Sequence, residues 1–255
     1  MKYGFMAGCS LSSAAPLRVK QTIAFLEEYY PDLVTIQTCC GKPTKYIGKQ
    51  ELYEKRRAHF KQTIADSGVD EMIVACPGCM SILLSDTQIP VVSLWEKMQE
   101  LGLPETLWGK GKRCGLTFAV QHPCPTKDLP VVARSVDFLL DQLGYSYDDS
   151  AAAARKTLCC GMGGMCGVTN PPFAKELAAN KVASFSAQAI VTYCASCRAA
   201  MQLGGGASWH LLDLIFGPVP QKTSEVPQNA LASPLKAWKN RFLLARWLSG
   251  RKEEK

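Results

Sequence analysis

Ten of the twelve cysteines in this chain fall into two matching series. The first runs Cys9, Cys39-Cys40-Gly41, then Cys76-Pro77-Gly78-Cys79, and the second runs Cys124, Cys159-Cys160-Gly161, then Cys194-Ala195-Ser196-Cys197. Each series has the form C…CCG…CxxC, and the second follows the first at a nearly constant offset. Core packing gives no reason for a doubled five-thiol pattern; metal chemistry does.

At 255 residues the chain can bury a large core, as one domain or two lobes. Its hydrophobic fraction of 47% and charged fraction of 20% are those of an ordinary globular protein, so nothing requires disulfides for stability. No stretch approaches the roughly 18 apolar residues of a membrane span. The run before Cys9 is too short for the h-region of a lipoprotein signal, about 7–15 residues long. The expected compartment is therefore the cytoplasm, where paired cysteines point to metal or redox chemistry. The net charge of +7 is concentrated in residues 235–255, where seven Lys/Arg stand against two Glu. The near-neutral body argues against a nucleic-acid surface, and no nucleic-acid partner is expected.

Short apolar runs over 2–6, 33–36, 71–75 and 91–92 read as strands, alternating with helix patterns over 17–30, 51–67 and 93–101. The second half repeats the order, with strands over 116–120 and 189–193 and helices over 131–143, 173–186 and 210–216. The fold class expected is α/β: two pseudo-repeated Rossmann-like lobes with parallel sheets, plus a C-terminal helical tail. The boundaries are 1–110 for the first repeat, 111–217 for the second, 218–233 for a Pro-rich linker and 234–255 for the tail. Loops at the carboxyl ends of parallel strands gather on one edge, so thiols distant in sequence can converge there.

Neighbouring side chains on a strand point to opposite faces, so Cys39-Cys40 must lie on a turn if both sulfurs are to meet one centre. Gly41 and Gly161 supply the backbone freedom for that turn. Five thiols exceed what a tetrahedral zinc needs and suit a multi-iron centre, though zinc stays open as an alternative. The candidate ligands are Cys9, Cys39, Cys40, Cys76 and Cys79 in the first set, and Cys124, Cys159, Cys160, Cys194 and Cys197 in the second. Cys114 and Cys166 fall outside the scheme and read as buried hydrophobes, with Cys166 the nearer to a site.

With these motifs the chain resembles the B-type subunit family of the heterodisulfide reductases, whose duplicated cysteine-rich CCG domain carries the same C…CCG…CxxC pattern. The resemblance covers roughly residues 1–217; Gly8-Cys9-Ser10, His122-Pro123-Cys124-Pro125 and Leu158-Cys159-Cys160-Gly161-Met162-Gly163-Gly164 add to it. It implies two [4Fe-4S] clusters of non-cubane type and electron transfer or disulfide reduction beside them. It also implies a complex with a ferredoxin-like iron–sulfur subunit and a flavoprotein subunit. The second clip, Cys-Ala-Ser-Cys, departs from the family by lacking its proline. The chain also lacks a ferredoxin-like CxxCxxC segment, so an electron-donating partner is needed.

The expected function is an iron–sulfur oxidoreductase subunit of a heterodisulfide-reductase-like complex. Two alternatives stand beside it: an electron-transfer subunit of a membrane-associated, quinone-linked dehydrogenase, and a non-enzymatic metal-binding scaffold. No catalytic residue is assigned. His122 precedes Cys124 by two positions and reads equally as a structural histidine or as one that tunes the second site. Lys42, Lys45 and Tyr46 read as a solvated loop more readily than as an attractor of anions. Phe118, Met162 and Met165 read as packing, His59 as a surface residue, and His210 has no role assigned.

The tail opens with the N-cap and N1 pair Ser233-Pro234. Leu235, Trp238, Phe242, Leu244, Ala245 and Leu248 form one apolar arc, with Arg241 inside it and Leu243 and Trp247 outside. It is expected to stand outside the main body. There it would either lie on the inner face of the cytoplasmic membrane, with a peripheral or quinone contact, or dock on a partner subunit.

Overall fold

The structure is a computed structural model, and it describes residues 1–148 and 158–253. The chain divides into two compact units, residues 1–92 with 229–255, and residues 93–228.

The first unit carries β1 (Tyr3–Met6), α1 (Cys9–Ala14), α2 (Pro16–Tyr29), β2 (Val34–Thr35) and α3 (Lys42–Tyr46). It continues with α4 (Gln50–Ser67), β3 (Glu71–Val74), α5 (Pro77–Asp86) and β4 (Val91–Ser93). The strands form one sheet in the order β2-β1-β3-β4, and β1 is parallel to both of its neighbours. Phe5, Met6, Met72, Ile73 and Val74 are all buried, because helices cover both faces of a parallel sheet. A C-terminal helix completes this unit, as described below.

The second unit repeats the plan. It holds α6 (Leu94–Leu101), β5 (Thr117–Gln121), α7 (Pro130–Leu143), β6 (Ser146–Tyr147), α8 (Cys166–Thr169) and α9 (Pro171–Ala183). β7 (Ala189–Thr192), α10 (Ala195–Leu203), β8 (Ala207–His210) and α11 (Leu211–Phe216) follow. Its sheet order is β6-β5-β7-β8, with parallel pairs throughout. Phe118 lies at the centre of this core, edge-on to Tyr145 at 5.7 Å and to Trp209 at 5.6 Å, so it is a packing residue. The buried Arg198 donates to the Pro227 carbonyl at 2.6 Å and lies 3.8 Å from the Asp213 carboxylate, tying the Pro-rich segment to this unit.

α6 packs on α7 and belongs to the second unit, which begins at residue 93 rather than near 110. The tail departs from expectation as well. α12 (Pro234–Glu253) packs on α1 and α2 instead of standing apart. Leu244 and Leu248 are buried, Asn240 Nδ2 donates to the Ser13 carbonyl at 2.7 Å, and Arg251 pairs with Glu27. Trp247, which the pattern placed off the apolar arc, lies under the Lys20 ammonium and the Arg251 guanidinium, each 4.7 Å from the ring centre. Leu235, Trp238 and Phe242 remain exposed, the last two stacked at 5.5 Å. The arc is thus divided: Leu244 and Leu248 are core, while Ala245 and the N-terminal half face solvent. No helix among the described residues is long and apolar enough to cross a membrane.

His210 supplies a testable pH dependence. It caps α11, its Nδ1 accepting the Leu212 N–H at 3.2 Å, and burial lowers its pKa from 6.5 to about 4. Between those values the unfolded chain binds a proton that the folded chain refuses. The stability this histidine permits is therefore complete above pH 6.5 and lost as pH falls toward 4. The full loss is on the order of 3 kcal/mol. Thermal melts between pH 7 and 4.5 are expected to flatten in His210→Asn, which keeps a capping acceptor but does not titrate.

Candidate metal centres

Both sheets reverse strand order at the same place, between β1 and β3 in the first unit and between β5 and β7 in the second. Such a switch point opens a crevice at the carboxyl ends of the strands. Cys9 lies just beyond β1 and Cys76 just beyond β3; Cys124 and Cys194 hold the matching places after β5 and β7. Cys39 and Cys40 follow β2, on the third loop along the same edge.

The doubled cysteines sit on turns. Gly41 has φ +79° and Gly161 φ +90°, the conformations that glycine adopts at low cost. Each CxxC clip straddles a helix start. Cys76 and Cys194 are the N-caps of α5 and α10, while Cys79 and Cys197 lie in the first turn. Backbone N–H groups therefore point at the sulfurs: those of Gly78 and Cys79 at Cys76, Gly41 at Cys39, and Lys42 at Cys40. In the second unit Gly161 and Gly163 serve Cys159, and Met162 serves Cys160.

In the first unit the five sulfurs form a string of contacts. Cys9 and Cys40 both donate to Cys39, and Cys79 donates to Cys76 and, at 3.4 Å, to Cys40. The second unit reproduces the string, from Cys124 to Cys159 to Cys160 to Cys197 to Cys194. The electrostatics match position by position. Hydrogen bonds from neighbouring thiols lower Cys39 and Cys159 to about 2. Donating to those thiolates pushes Cys40 and Cys160 up to about 12, and raises Cys9 and Cys124. Cys79 and Cys197 are driven well above the usual thiol range, first by hydrogen bonding and then by burial. Thiols packed this closely cannot all ionise beside one another. A multiply charged metal group would remove that conflict, binding the thiolates and releasing their protons.

Among the described residues, no three His, Cys, Asp or Glu side chains close around one point as a single ion requires. The nests nevertheless have the donor chemistry for an iron–sulfur group, which is held by thiolates and tuned by N–H groups. Their walls also keep the sulfurs clear. Gly8 has φ +83°, and a Cβ there would stand 2.5 Å from Cys76 Cβ and 3.2 Å from its Sγ; at Gly163 it would stand 2.8 Å from Cys159 Sγ. The residues present fit the group.

The structure thus brings together each of the two predicted five-cysteine sets. It places Cys114 elsewhere, donating to the Pro220 carbonyl at 2.9 Å, while Cys166 starts α8 with its thiol 3.8 Å from the Asn170 carbonyl. His122 is buried behind the second set, its Nδ1 3.2 Å from Tyr193 Oη, which lies 3.1 Å from Thr126 Oγ1. Lys42 is drawn to α5, its Nζ donating to Ser81 Oγ at 2.6 Å. Met162 packs on the buried cluster around Cys160 and Cys197. The thiols are not equally accessible: Cys159 is exposed, whereas Cys40, Cys79, Cys160 and Cys197 are buried.

The fold and sites define an α/β protein with a duplicated cysteine-rich module, one sulfur nest at the switch point of each sheet. The family model of the cysteine-rich CCG domain matches residues 3–83 and 118–202, well over half of the chain, and the protein belongs to that family. The membership and the two sulfur sets agree with an iron–sulfur redox role. No curated protein matches the chain. Among solved structures it is similar to an aspartate racemase homologue from Pyrococcus horikoshii, at 13% identity and TM-score 0.34 over 96% of this chain and 99% of that one. A glutamate racemase from Campylobacter jejuni aligns at 13% identity and TM-score 0.34, over 84% and 83%. Likenesses of that size carry no argument about function.

Proposed function

We propose that the protein is an iron–sulfur oxidoreductase subunit of a heterodisulfide-reductase-like complex, with two [4Fe-4S] clusters of non-cubane type. Cys9, Cys39, Cys40, Cys76 and Cys79 would hold one, and Cys124, Cys159, Cys160, Cys194 and Cys197 the other. The observation that carries this reading is the recurrence of one five-thiol string, with the same acidified cysteine, at both switch points. When bound, each cluster supplies one-electron chemistry, and two together match the electron pair that opens a disulfide.

The chain's own residues prepare the sites. Gly41, Gly78, Gly161 and Gly163 aim N–H groups at sulfur and stabilise its charge. Buried Cys40, Cys79, Cys160 and Cys197 exclude water from the inner wall. A sulfur substrate would approach the second site, a reading that the exposure of Cys159 supports. Electrons would arrive from a ferredoxin-like iron–sulfur subunit and a flavoprotein subunit.

A second reading, an electron-transfer subunit of a quinone-linked dehydrogenase, draws on the exposed Leu235, Trp238 and Phe242 beside Lys236 and Lys239. That surface suits an anionic membrane. Anaerobically reduced protein separates the two. Reoxidation by an organic disulfide with no response to a soluble quinone supports the first reading, and the reverse response supports the second. A zinc-filled protein inert to both would return the chain to the scaffold reading.

A further inference from the structure

Residues 42–57, which follow the first Cys-Cys-Gly, contain six Lys/Arg and two Glu, whereas residues 162–177, which follow the second, contain one Lys and one Glu. The duplicated fold thus carries different surface chemistry at matching places. In the first unit this segment forms α3 and the start of α4, and packing gathers its cations. The buried Thr44 is the hub: its Oγ1 accepts from Arg56 Nη1 at 2.6 Å, and its carbonyl accepts the Lys49 N–H at 3.2 Å. Lys45 follows in sequence, its Nζ 5.5 Å from the centre of the Tyr53 ring. Lys45, Lys49 and Arg56 are exposed, and so are Tyr46, Ile47 and Leu52 beside them. Leu52 comes three residues after Lys49 and four before Arg56, which puts all three on one flank of α4. Glu51 and Glu54 are turned from Arg56 by about 100° or more, and Gln50 Nε2 donates to Glu54 at 2.8 Å. Arg57 lies outside this surface, paired with Asp86 on α5.

The surface adjoins the first sulfur nest. A Cβ at Gly41, the residue after Cys40, would stand 3.2 Å from Tyr53 Cδ2 and 3.5 Å from Arg56 Cβ, so α4 packs directly against the Cys-Cys-Gly turn.

We propose that this face of α3 and α4 is the docking surface of an acidic electron-donor protein, and that the first site is the one this donor reduces. The inference rests on reading the sulfur sets as iron–sulfur sites. An apolar centre with a charged rim is the anatomy of a protein interface, and electron-transfer encounters need only a small one. The cationic rim sets the partner's sign, because opposite charge steers the encounter and fixes its orientation. A protein donor fits the place, since the site beside it must be supplied with electrons and these 255 residues contain no ferredoxin-like CxxCxxC segment. The step balances simply: the donor loses one electron, the first site gains it, and no bond is made or broken.

The test uses full-length protein prepared without oxygen and, as probe, a plant-type [2Fe-2S] ferredoxin, a small low-potential donor with a strongly acidic surface. Binding of the oxidised ferredoxin is read by biolayer interferometry, and reduction of the first site by stopped flow in Cys160→Ser protein, which lacks the second site. Lys45→Glu with Lys49→Glu is expected to weaken binding and slow reduction by ferredoxin about tenfold at low salt. The difference should shrink as salt is added. Lys45→Arg with Lys49→Arg keeps the charge and should keep both values. Photoreduced deazariboflavin, a small neutral donor that needs no docking, should reduce all three proteins at one rate. Ferredoxin that fails to bind at low salt, or binds the glutamate variant unchanged, overturns the proposal. Equal losses in the arginine variant, or equal slowing with deazariboflavin, overturn it as well. Binding to phosphatidylglycerol vesicles that the glutamate variant loses, with ferredoxin binding intact, would assign the surface to lipid instead. Starting protein that holds no iron contradicts the iron–sulfur reading itself, and is told apart by its spectrum before any variant is made.

Discussion

Cys40→Ser is expected to remove about half of the chain's iron, all of it from the first unit, and Cys160→Ser the other half, all from the second. Cys40 and Cys160 are buried links between the acidified thiol of each pair and the second thiol of the clip. Serine replaces a soft thiolate by a hydroxyl that stays protonated at neutral pH, so each string is cut at its middle. Each unit has its own sheet and core, which is why the loss should stay local. Iron and acid-labile sulfide in the two variants, with visible spectra, check this. Loss from neither variant would remove these cysteines from the ligand set. Loss of all iron from either would mean that the nests do not form independently.

Gly8→Ala is expected to have the next largest effect. The Gly8 backbone, with φ +83° and ψ 150°, occupies a region reserved almost wholly for glycine, and forcing another residue there costs about 1–3 kcal/mol. The new Cβ would also meet Cys76 Cβ at 2.5 Å and Cys79 Sγ at 3.5 Å, so relief must come from the sulfur nest. Gly48 provides the control. It has φ +74°, but a Cβ there meets nothing within 4 Å. Gly48→Ala should therefore lower the melting temperature modestly and leave iron content unchanged. Gly8→Ala should lower the melting temperature further and empty the first site. Equal effects from both would show that only backbone strain, and not the crowding of the sulfurs, matters at Gly8.

Much of this architecture is legible in the sequence, because parallel strands buried on both faces appear as short apolar runs. Those over 2–6, 71–75, 116–120 and 189–193 match β1, β3, β5 and β7 to within a residue at each end, the central strands that deliver Cys9, Cys76, Cys124 and Cys194. β6 and β8 are harder to read. Ser146–Tyr147 is two residues long, and Ala207–His210 follows a glycine run with little apolar character of its own. The helices α5 and α10 begin inside the clips, where the eye on cysteine spacing sees a loop. Pro77 at the first helical position carried the signal for α5. The place of the tail was not legible for a different reason. Periodicity shows that α12 has an apolar face but not what covers it, so the burial of Leu244 in the unit that holds α1 and α2 depends on tertiary packing alone.

Lys42 illustrates the same limit on the site. Its sequence position beside Cys40 suggests a solvated cation, whereas its Nζ bonds Ser81 and the Gly78 carbonyl, at 2.6 and 3.5 Å. His210 gave no sequence signal of its role because histidine is an uncommon cap; the Leu212 N–H at 3.2 Å and its own N–H donating to Asp213 Oδ2 at 3.1 Å identify it as one.

The most direct measurement is iron and acid-labile sulfide per chain, with EPR, on protein purified without oxygen. Two [4Fe-4S] groups require about eight of each per chain and a brown protein whose signals appear on redox titration. A colourless, iron-poor protein carrying zinc in both nests would contradict the account at its centre.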